Sequence, residues 1–389
     1  MMTVILVAFG ATGCGSSNSA NSGLPSGAPL EIGYLASLTG YCDEYARDYV
    51  QGARLAVRRI NAHGGVLGHR LQLLVRDDRA NAHTGTARAR ELVVNDHVKY
   101  LAGTCSSEVA KSVAQLVANP NHVLYVVGAA DSSIFEGGPA IFVFGTIPTA
   151  EIEARNAAAY MRTHPQWKRV GVIADDYSYG YQVSTDFRRA MQGSGQAVLP
   201  TVFVPSGGAD FTPNIRQLLA QQPQAVYSTV ITADAATLVA QGLPLGLFEA
   251  SHFFAVMDYG TMAAMPNPPL GVEGYTNYPS AAIYQTPFAR ALDSLGTIVA
   301  NSGAAGDAFN QIELIAQGIE KAGSTEPARV RDALAGATVR TVQGTVRVQC
   351  NHVLAVPIAM GTVAGPSATQ PFAHFEPLIL AATSRYFDC

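Results

Sequence analysis

Between Tyr45 and Asp78 the apolar positions change period once, from helical to extended, and the rest of the chain repeats that change. Tyr45, Tyr49, Ala53, Ala56 and Ile60 fall at three- and four-residue steps, with Arg47, Asp48, Arg54, Arg58 and Arg59 between them, which predicts a helix with one apolar face. Asn61, Gly64 and Gly65 stop it, because glycine takes the left-handed backbone that closes helices. An apolar strand follows from Leu71 to Val75 and ends in Asp77 and Asp78. Helix, glycine stop and strand make one αβ unit, and such units in series give a parallel sheet covered by helices.

The unit recurs downstream. A helix is predicted from about Thr86 to Asn95 with Ala89, Leu92 and Val93 inward, then a strand from Val98 to Ala102. Gly103 to Ser107 turns the chain into a helix whose inner face is Val109, Val113, Leu116 and Val117. The strand His122 to Val127 ends in Gly128-Ala129-Ala130-Asp131, and Ile141 to Phe144 reads as the last strand before a crossover near Thr146. There the pattern restarts, with helix Ala150 to Arg162, strand Arg169 to Ala174, a turn at Asp175 to Gly180 and a helix running to Met191. Thr212-Pro213 opens another helix with proline in its first turn. Strand Ala225 to Val230, helix Ala233 to Gln241 and strand His252 to Met257 complete this second set. Near Tyr278 the chain returns to the first set, with helices near Pro287 to Ala300 and Ala308 to Ala322. Val339, Thr341 and Val342, a break at Gln343-Gly344, then Val346 and Val348 predict a hairpin, with Val353 to Val363 beyond it.

These segments predict an α/β fold of two Rossmann-like lobes, each with a parallel sheet, joined by several strands and able to bend at the joint. Residues 30–146 with 277–338 make lobe 1, and 147–276 with 339–389 make lobe 2. A chain of 389 residues is long for a single core, in keeping with two lobes. Hydrophobic residues make up 48% and charged ones 14%, below the roughly 25% of an average soluble domain, so the buried core is large. The net charge of -4 offers no basic surface, and nucleic acid is not expected as a partner.

The N-terminus departs from this pattern. Val4 to Ala11 is apolar but too short to span a bilayer, and it leads to Ala11-Thr12-Gly13-Cys14. Small residues before a cysteine resemble a bacterial lipobox, which would make 1–14 a signal peptide and Cys14 the lipidated residue. Ala11 stands where leucine is usual, and no Lys or Arg precedes the run. The alternative is an ordinary thiol in a leader. Residues 15–29, rich in Ser, Asn and Gly, cannot bury a core and are expected to form a flexible tether.

Catalytic motifs are missing from the sequence. It has no Gly-x-Ser-x-Gly elbow, no Gly-x4-Gly-Lys phosphate loop and no Cys-x-x-Cys pair, and its nine histidines lack metal-ligand spacing. Neither a cofactor nor a metal is expected. Asp77-Asp78 and Asp175-Asp176 read as turn residues at strand ends.

The central stretch carries a resemblance. Gly52-Ala53, Leu55-Ala56-Val57, Ile60-Asn61-Ala62, Gly64-Gly65-Val66, Gly68, Leu71, Leu73 and Asp77-Asp78 keep one register, preceded by Ile32-Gly33-Tyr34-Leu35 and Ser37-Leu38-Thr39-Gly40. This signature resembles the type I periplasmic solute-binding proteins, in the branch typified by the leucine/isoleucine/valine-binding protein. The likeness continues more weakly to about Ala335. It implies an extracytoplasmic receptor, tethered by lipid to the bacterial membrane, that captures an amino acid of the branched-chain type or a small amide by hinge closure and delivers it to an ABC permease. A sensory receptor of the same fold is the first alternative and an enzyme the second.

The resemblance also assigns the site. It implies that Tyr45 covers the ligand, that Ser106 takes a ligand carboxylate, and that Ala129 to Asp131 completes that end. Tyr179 matches a second-lobe aromatic, Ile231 or Thr232 falls where another aromatic is usual, Asp258 matches an acid that pairs with an ammonium, and Phe309 matches an aromatic at the cleft edge. In open parallel sheets ligands bind beyond the carboxyl ends of the strands, where most of these residues lie. Ser106 and Ser107 open a helix, so they cap its free amides, hold an anion at its positive end, or do both. A zwitterion needs donors at one end and a carboxylate at the other, which Ser106 and Asp258 would supply from different lobes. Asp131 would repel a ligand carboxylate. Either it faces the cleft and favours an amide or urea-like solute, or it caps Ser132-Ser133.

With Cys14 lipidated, four cysteines remain, an even number compatible with two disulfides in an oxidising compartment. Cys42 would follow the first strand and Cys105 the third, neighbours in this topology, so Cys42–Cys105 and then Cys350–Cys389 are the expected pairs. In the resembling family the partner of the Cys105 position lies where this chain has Ala80. Reduced, buried thiols are the alternative.

Overall fold

The computed structural model describes residues 27–138, 141–259, 262, 265–278, 281–367 and 374–381. Helix α1 (Asp43–Ala62) buries Tyr49, Ala53, Ala56 and Ile60, the stripe its spacing predicts. It hands over to strand β2 (His69–Asp77) through Gly65, whose φ of +73° suits glycine and where a Cβ would meet the His69 carbonyl at 2.0 Å. Across this turn the Asn61 side chain donates to the Leu71 carbonyl at 2.9 Å and accepts from its amide at 2.8 Å, fixing strand to helix.

The first sheet has the order β2-β1-β3-β4-β5, with β1 (Gly27–Ala36), β3 (Tyr100–Gly103), β4 (Leu124–Val127) and β5 (Val143–Gly145), all parallel. Alternate residues feed two cores. Ile32, Tyr34, Tyr100 and Ala102 pack toward α1 and the long helix Gly303–Ala322. Leu35, Leu101 and Tyr125 pack toward α2 (Ala82–Arg90) and α3 (Ser107–Val113). Burial on both faces explains why these strands read as continuous apolar runs.

The second sheet runs β15-β14-β11-β10-β9-β6-β7, with β8 also on β6. Its parallel part is β6 (Arg169–Asp175), β7 (Ala197–Val198), β8 (Val202–Val204), β9 (Ala225–Ser228), β10 (His252–Val256) and β11 (Glu273–Thr276). Helices α4 (Ala150–Arg162) and α5 (Ser178–Ala190) cover one face, and α6 (Thr212–Ala220) and α7 (Thr232–Gly242) the other. The expectation of a purely parallel sheet needs correcting at one edge. β14 (Ile358–Ala364) pairs antiparallel with β11 and with β15 (His374–Ala381), the antiparallel edge that otherwise parallel sheets commonly carry.

Several expectations shift in detail. Asn81 starts α2 earlier than Thr86 by accepting from the Thr84 amide at 3.0 Å, and a π-helical turn, Glu91–Asn95, carries the helix on. A second π turn, Ala114–Ala118, widens the helical repeat, so Leu116 points outward at 52% exposure while Val113 and Val117 stay buried. Gly296, at φ +85°, divides the segment expected as one helix from Pro287 to Ala300, and the next helix starts at Gly303 rather than Ala308. Gly27 to Pro29, expected in the tether, begin β1. Cys14, Cys389 and the leader lie outside the described residues.

The hairpin β12 (Thr338–Thr341) and β13 (Gly344–Arg347) forms as its alternation predicts but belongs to the first core, not to the lobe assigned from residue 339. Val339, Val342, Val346, Val348, Leu354 and Val356 all pack there. The long helix holds its edge: the Gln317 side chain donates to the Arg340 carbonyl at 2.8 Å and accepts from its amide at 2.9 Å, and Asn310 accepts from the Val342 amide at 2.8 Å. Only from Ile358 does the chain join the second sheet. Among the described residues no helix is long and apolar enough to cross a membrane.

Helices α1 and Gly303–Ala322 meet backbone to backbone at Gly52, where a Cβ would stand 2.1 Å from the Ala305 carbonyl oxygen. Gly52→Ala is expected to lower stability by about 3 kcal/mol, at the upper end of overpacking costs. Urea unfolding checks this, and an unchanged midpoint would show that the helices can part without penalty.

Candidate functional site

The carboxyl ends of both sheets open onto one cleft with a cavity of about 130 Å³. A single water needs roughly 10–15 Å³ on this measure, so the cavity suits a small molecule. From the first half, Cys42, Tyr45 and Tyr49 reach it at the start of α1, Cys105 and Ser107 after β3, and Gly128 and Ala130 after β4. From the second half come Tyr177 and Tyr179 after β6, Ile231 and Thr232 after β9, Asp258 after β10, Thr276 at the end of β11 and Asn277 after it. Gly128 and Asp258 stand just beyond β4 and β10, Asp175 is the last residue of β6, and the loops that follow carry the polar groups.

Of the residues assigned from sequence, Tyr45, Ser107, Tyr179, Thr232 and Asp258 line this cleft together, with Ile231 beside them. Four others do not. Ser106 is fully buried, and its hydroxyl oxygen accepts from the Val109 amide at 3.4 Å and from the Tyr41 hydroxyl at 2.9 Å. Ser107, one position on, lines the cleft. Ala129 faces the first half's core, and its neighbour Ala130 borders the cavity instead. Asp131 is the cap: its Oδ1 accepts from the Ser133 amide at 2.9 Å and from the Ser133 hydroxyl at 2.7 Å. Phe309 is wholly buried, its ring 5.3 Å from that of Phe288. Helical rotation sends it into the core while Ala304 and Asp307 of the same helix face the cavity.

Cys42 and Cys105 form a disulfide in the cleft wall, with Cα atoms 6.5 Å apart. Cys350 is also disulfide-bonded. Beside the first bridge, Tyr41 leaves its own half. Its ring lies 5.2 Å from that of Tyr177, and its carbonyl accepts from the Thr232 hydroxyl at 3.4 Å.

Two buried acids in the wall escaped the sequence reading. Glu153 on α4 accepts from the Tyr179 hydroxyl at 2.7 Å, the Asn277 amide at 3.0 Å and the Tyr275 hydroxyl at 3.3 Å. Burial pushes its pKa up, against the pull of those three donors. Asp307 accepts from the Thr146 hydroxyl and from the Gln311 amide at 2.9 Å, and burial raises it to about 6. A signal was present for both. Glu153 falls on the Ala150-Ala154-Ala157-Met161 stripe of α4, and Asp307 stands inside the apolar run of its helix. Asp258 bridges the halves, since its Oδ2 accepts from the Gly303 amide at 3.1 Å at the start of that helix. Among the described lining residues there is no lysine, arginine or histidine. No group of three or more metal-binding side chains occurs among the described residues.

Two sheets with their carboxyl ends turned to a shared cleft, linked by a chain that passes from one to the other after β5, after β11 and before β14, define a bilobal α/β fold of the type I binding-protein arrangement. Comparison agrees: the profile described as periplasmic binding protein matches residues 29–369. The chain belongs to the periplasmic binding protein family, as a type I member related to the Leu/Ile/Val-binding proteins. The leucine-, isoleucine-, valine-, threonine- and alanine-binding protein of Pseudomonas aeruginosa is 25% identical over 326 residues, covering 82% of this chain and 85% of the relative. The Leu/Ile/Val-binding protein BraC3 of Rhizobium johnstonii is 28% identical over 313 residues, covering 77% and 82%. Among solved structures, a solute binding protein of an ABC transporter from Rhodopseudomonas palustris, in complex with 3,4-dihydroxy benzoic acid, superposes with a TM-score of 0.81 at 20% identity, over 91% of this chain and 98% of that one. The leucine binding protein LivK of Thermotoga maritima gives 0.78 at 19% identity, over 90% and 98%.

Proposed function

We propose that this chain is the extracytoplasmic solute-binding component of an ABC importer. It captures a small polar solute bearing an amine, an amino acid or a small amide, by closing its two halves and then delivers it to a membrane permease. The observation that carries this reading is that Tyr45 and Ser107 from one half line the same cavity as Tyr179 and Asp258 from the other. A solute there touches both halves and favours the state in which they are together, and closure follows from that difference in affinity. Connections on both sides of the cleft give the halves a hinge. Relatives named for branched-chain amino acids, and a structural neighbour named as part of an ABC transporter, support the same role. The cysteine bridge suits an oxidising compartment outside the cytoplasm. In this reading Cys14 carries the lipid that holds the chain at the membrane, and the role requires no catalysis.

A thermal-shift screen of amino acids, amides and ureas tests the proposal, because a ligand that binds only the folded state stabilises it by about 2.7 kcal/mol at a hundredfold excess over Kd. At least one amine-bearing compound is expected to raise Tm, and Asp258→Ala to abolish the rise. Stabilisation by anions alone, unaffected by that substitution, would overturn the role given to Asp258.

A further inference from the structure

We infer that Tyr41 is a latch that holds the two halves closed over the solute, a positioning residue that acts through Tyr177. This deepens the solute-binding reading and rests on it. Tyr41 belongs to the loop before α1 in the first half, yet it packs against the core of the second half and not against its own. The next residue, Cys42, borders the cavity, and Tyr41 is not among the described residues that do. Its contacts are with the wall.

The first half holds Tyr41 at two points. Its hydroxyl donates to the Ser106 Oγ at 2.9 Å, and Ser106 is itself fixed at the start of α3, where it accepts from the Val109 amide at 3.4 Å. One residue on, the Cys42–Cys105 bridge ties the same two loops together. A side chain anchored at its tip and beside its backbone has little freedom left to lose when a partner arrives, so its contacts go into closure.

Three loops of the second half receive it. After β6, the Tyr177 ring lies 5.2 Å from the Tyr41 ring, and after β9 the Thr232 hydroxyl donates to the Tyr41 carbonyl at 3.4 Å. After β8 the chain passes so close that a Cβ on Gly207 would stand 3.6 Å from the Tyr41 Cβ. Buried acids brace this seat: Asp175 accepts from the Ile231 amide at 3.1 Å, and Asp234 from the Gly207 amide at 2.8 Å. The Tyr177 ring in turn lies 6.0 Å from that of Tyr179, and both residues border the cavity. Tyr41 thus backs the aromatic wall that meets the solute. Aromatic pairs at such spacings attract beyond the area they bury. A contact made only when the halves are together favours the closed state, and the apparent affinity for a solute held there rises with the closed fraction.

Stopped-flow release of leucine from the full chain, with small-angle scattering of the ligand-free chain, tests the latch. Tyr41→Ala is expected to release leucine at least tenfold faster with a nearly unchanged association rate, and to raise the radius of gyration of the ligand-free chain. Tyr41→Phe keeps a ring against Tyr177 and is expected to stay within threefold of the parent. If the alanine variant does not fold, Tyr41→Leu, which keeps apolar bulk without the ring, takes its place with the same expectations. Where leucine binds the parent, unchanged release from the ringless variant overturns the latch and leaves solute binding standing, even if Tm falls. Where leucine does not bind, scattering decides: a larger radius supports the latch and an equal one overturns it. Silence of the whole thermal-shift screen removes the solute-binding reading whatever the scattering shows.

Discussion

Replacing both Cys42 and Cys105 by alanine is expected to lower the unfolding free energy by about 4 kcal/mol and to weaken ligand binding at least tenfold. The first figure follows from loop closure, since the bridge spans 63 residues and a crosslink of that length removes about 4 kcal/mol of unfolded-chain entropy. The second follows from position. The bridge ties the loop before α1 to the loop before α3, and both reach the cleft. Tyr41 sits next to it, with its hydroxyl on Ser106 and its ring against Tyr177 of the other half. Freed loops would have to be ordered by the ligand, at the expense of affinity. Urea unfolding and titration with the tightest ligand of the screen measure the two effects separately. A stability loss with unchanged affinity would show that the bridge serves the fold alone.

The second large effect concerns pH. Asp307 rises from an ordinary 3.8 to about 6 through burial, and its partners, the hydroxyls of Thr146 and Tyr49 and the amide of Gln311, are neutral. Its folded value lies above its unfolded one, so between them the folded chain binds more protons and stability falls as pH rises. The cost is absent below 3.8 and complete above 6, and that interval corresponds to about 3 kcal/mol. Asp307→Asn has no carboxyl to ionise. Its stability relative to the parent is therefore expected to improve by about 3 kcal/mol between about pH 4 and pH 7, in urea titrations at each pH. Curves that stay parallel would mean that Asp307 keeps an ordinary acidity. A bound amine next to Asp307 would repay its ionisation, so saturating ligand is expected to flatten the parent's dependence.

Much of this architecture is legible in the chain because it is set by local rules. The stripe Tyr49-Ala53-Ala56-Ile60 and the Gly64-Gly65 stop specify α1 and its turn without reference to anything distant. The site is legible at a coarser level, since loops after parallel strands must border the cleft, as Tyr179, Thr232 and Asp258 do. What fails depends on tertiary choice. Alternation at Val339 to Val348 specifies a hairpin but not which core receives it, and that was decided by Gln317 and Asn310 on a helix some thirty residues earlier in the chain. Ser106 and Ser107 look alike in sequence, yet the first turns back to cap the helix while the second lines the cleft. Phe309 turns into the core with its helix, and Glu153 and Asp307 are marked in the sequence only by their place among apolar residues, a signal that gives their burial but not their partners.

The role of the cleft is tested most directly by the crystal structure of the protein with the tightest-binding compound of the screen. The ligand is predicted to lie between Tyr45 and Ser107 on one side and Tyr179 and Asp258 on the other, with its nitrogen within hydrogen-bond distance of the Asp258 carboxylate. A ligand held by one half alone, or one whose acid end meets the start of α3 while its nitrogen avoids Asp258, would contradict the account.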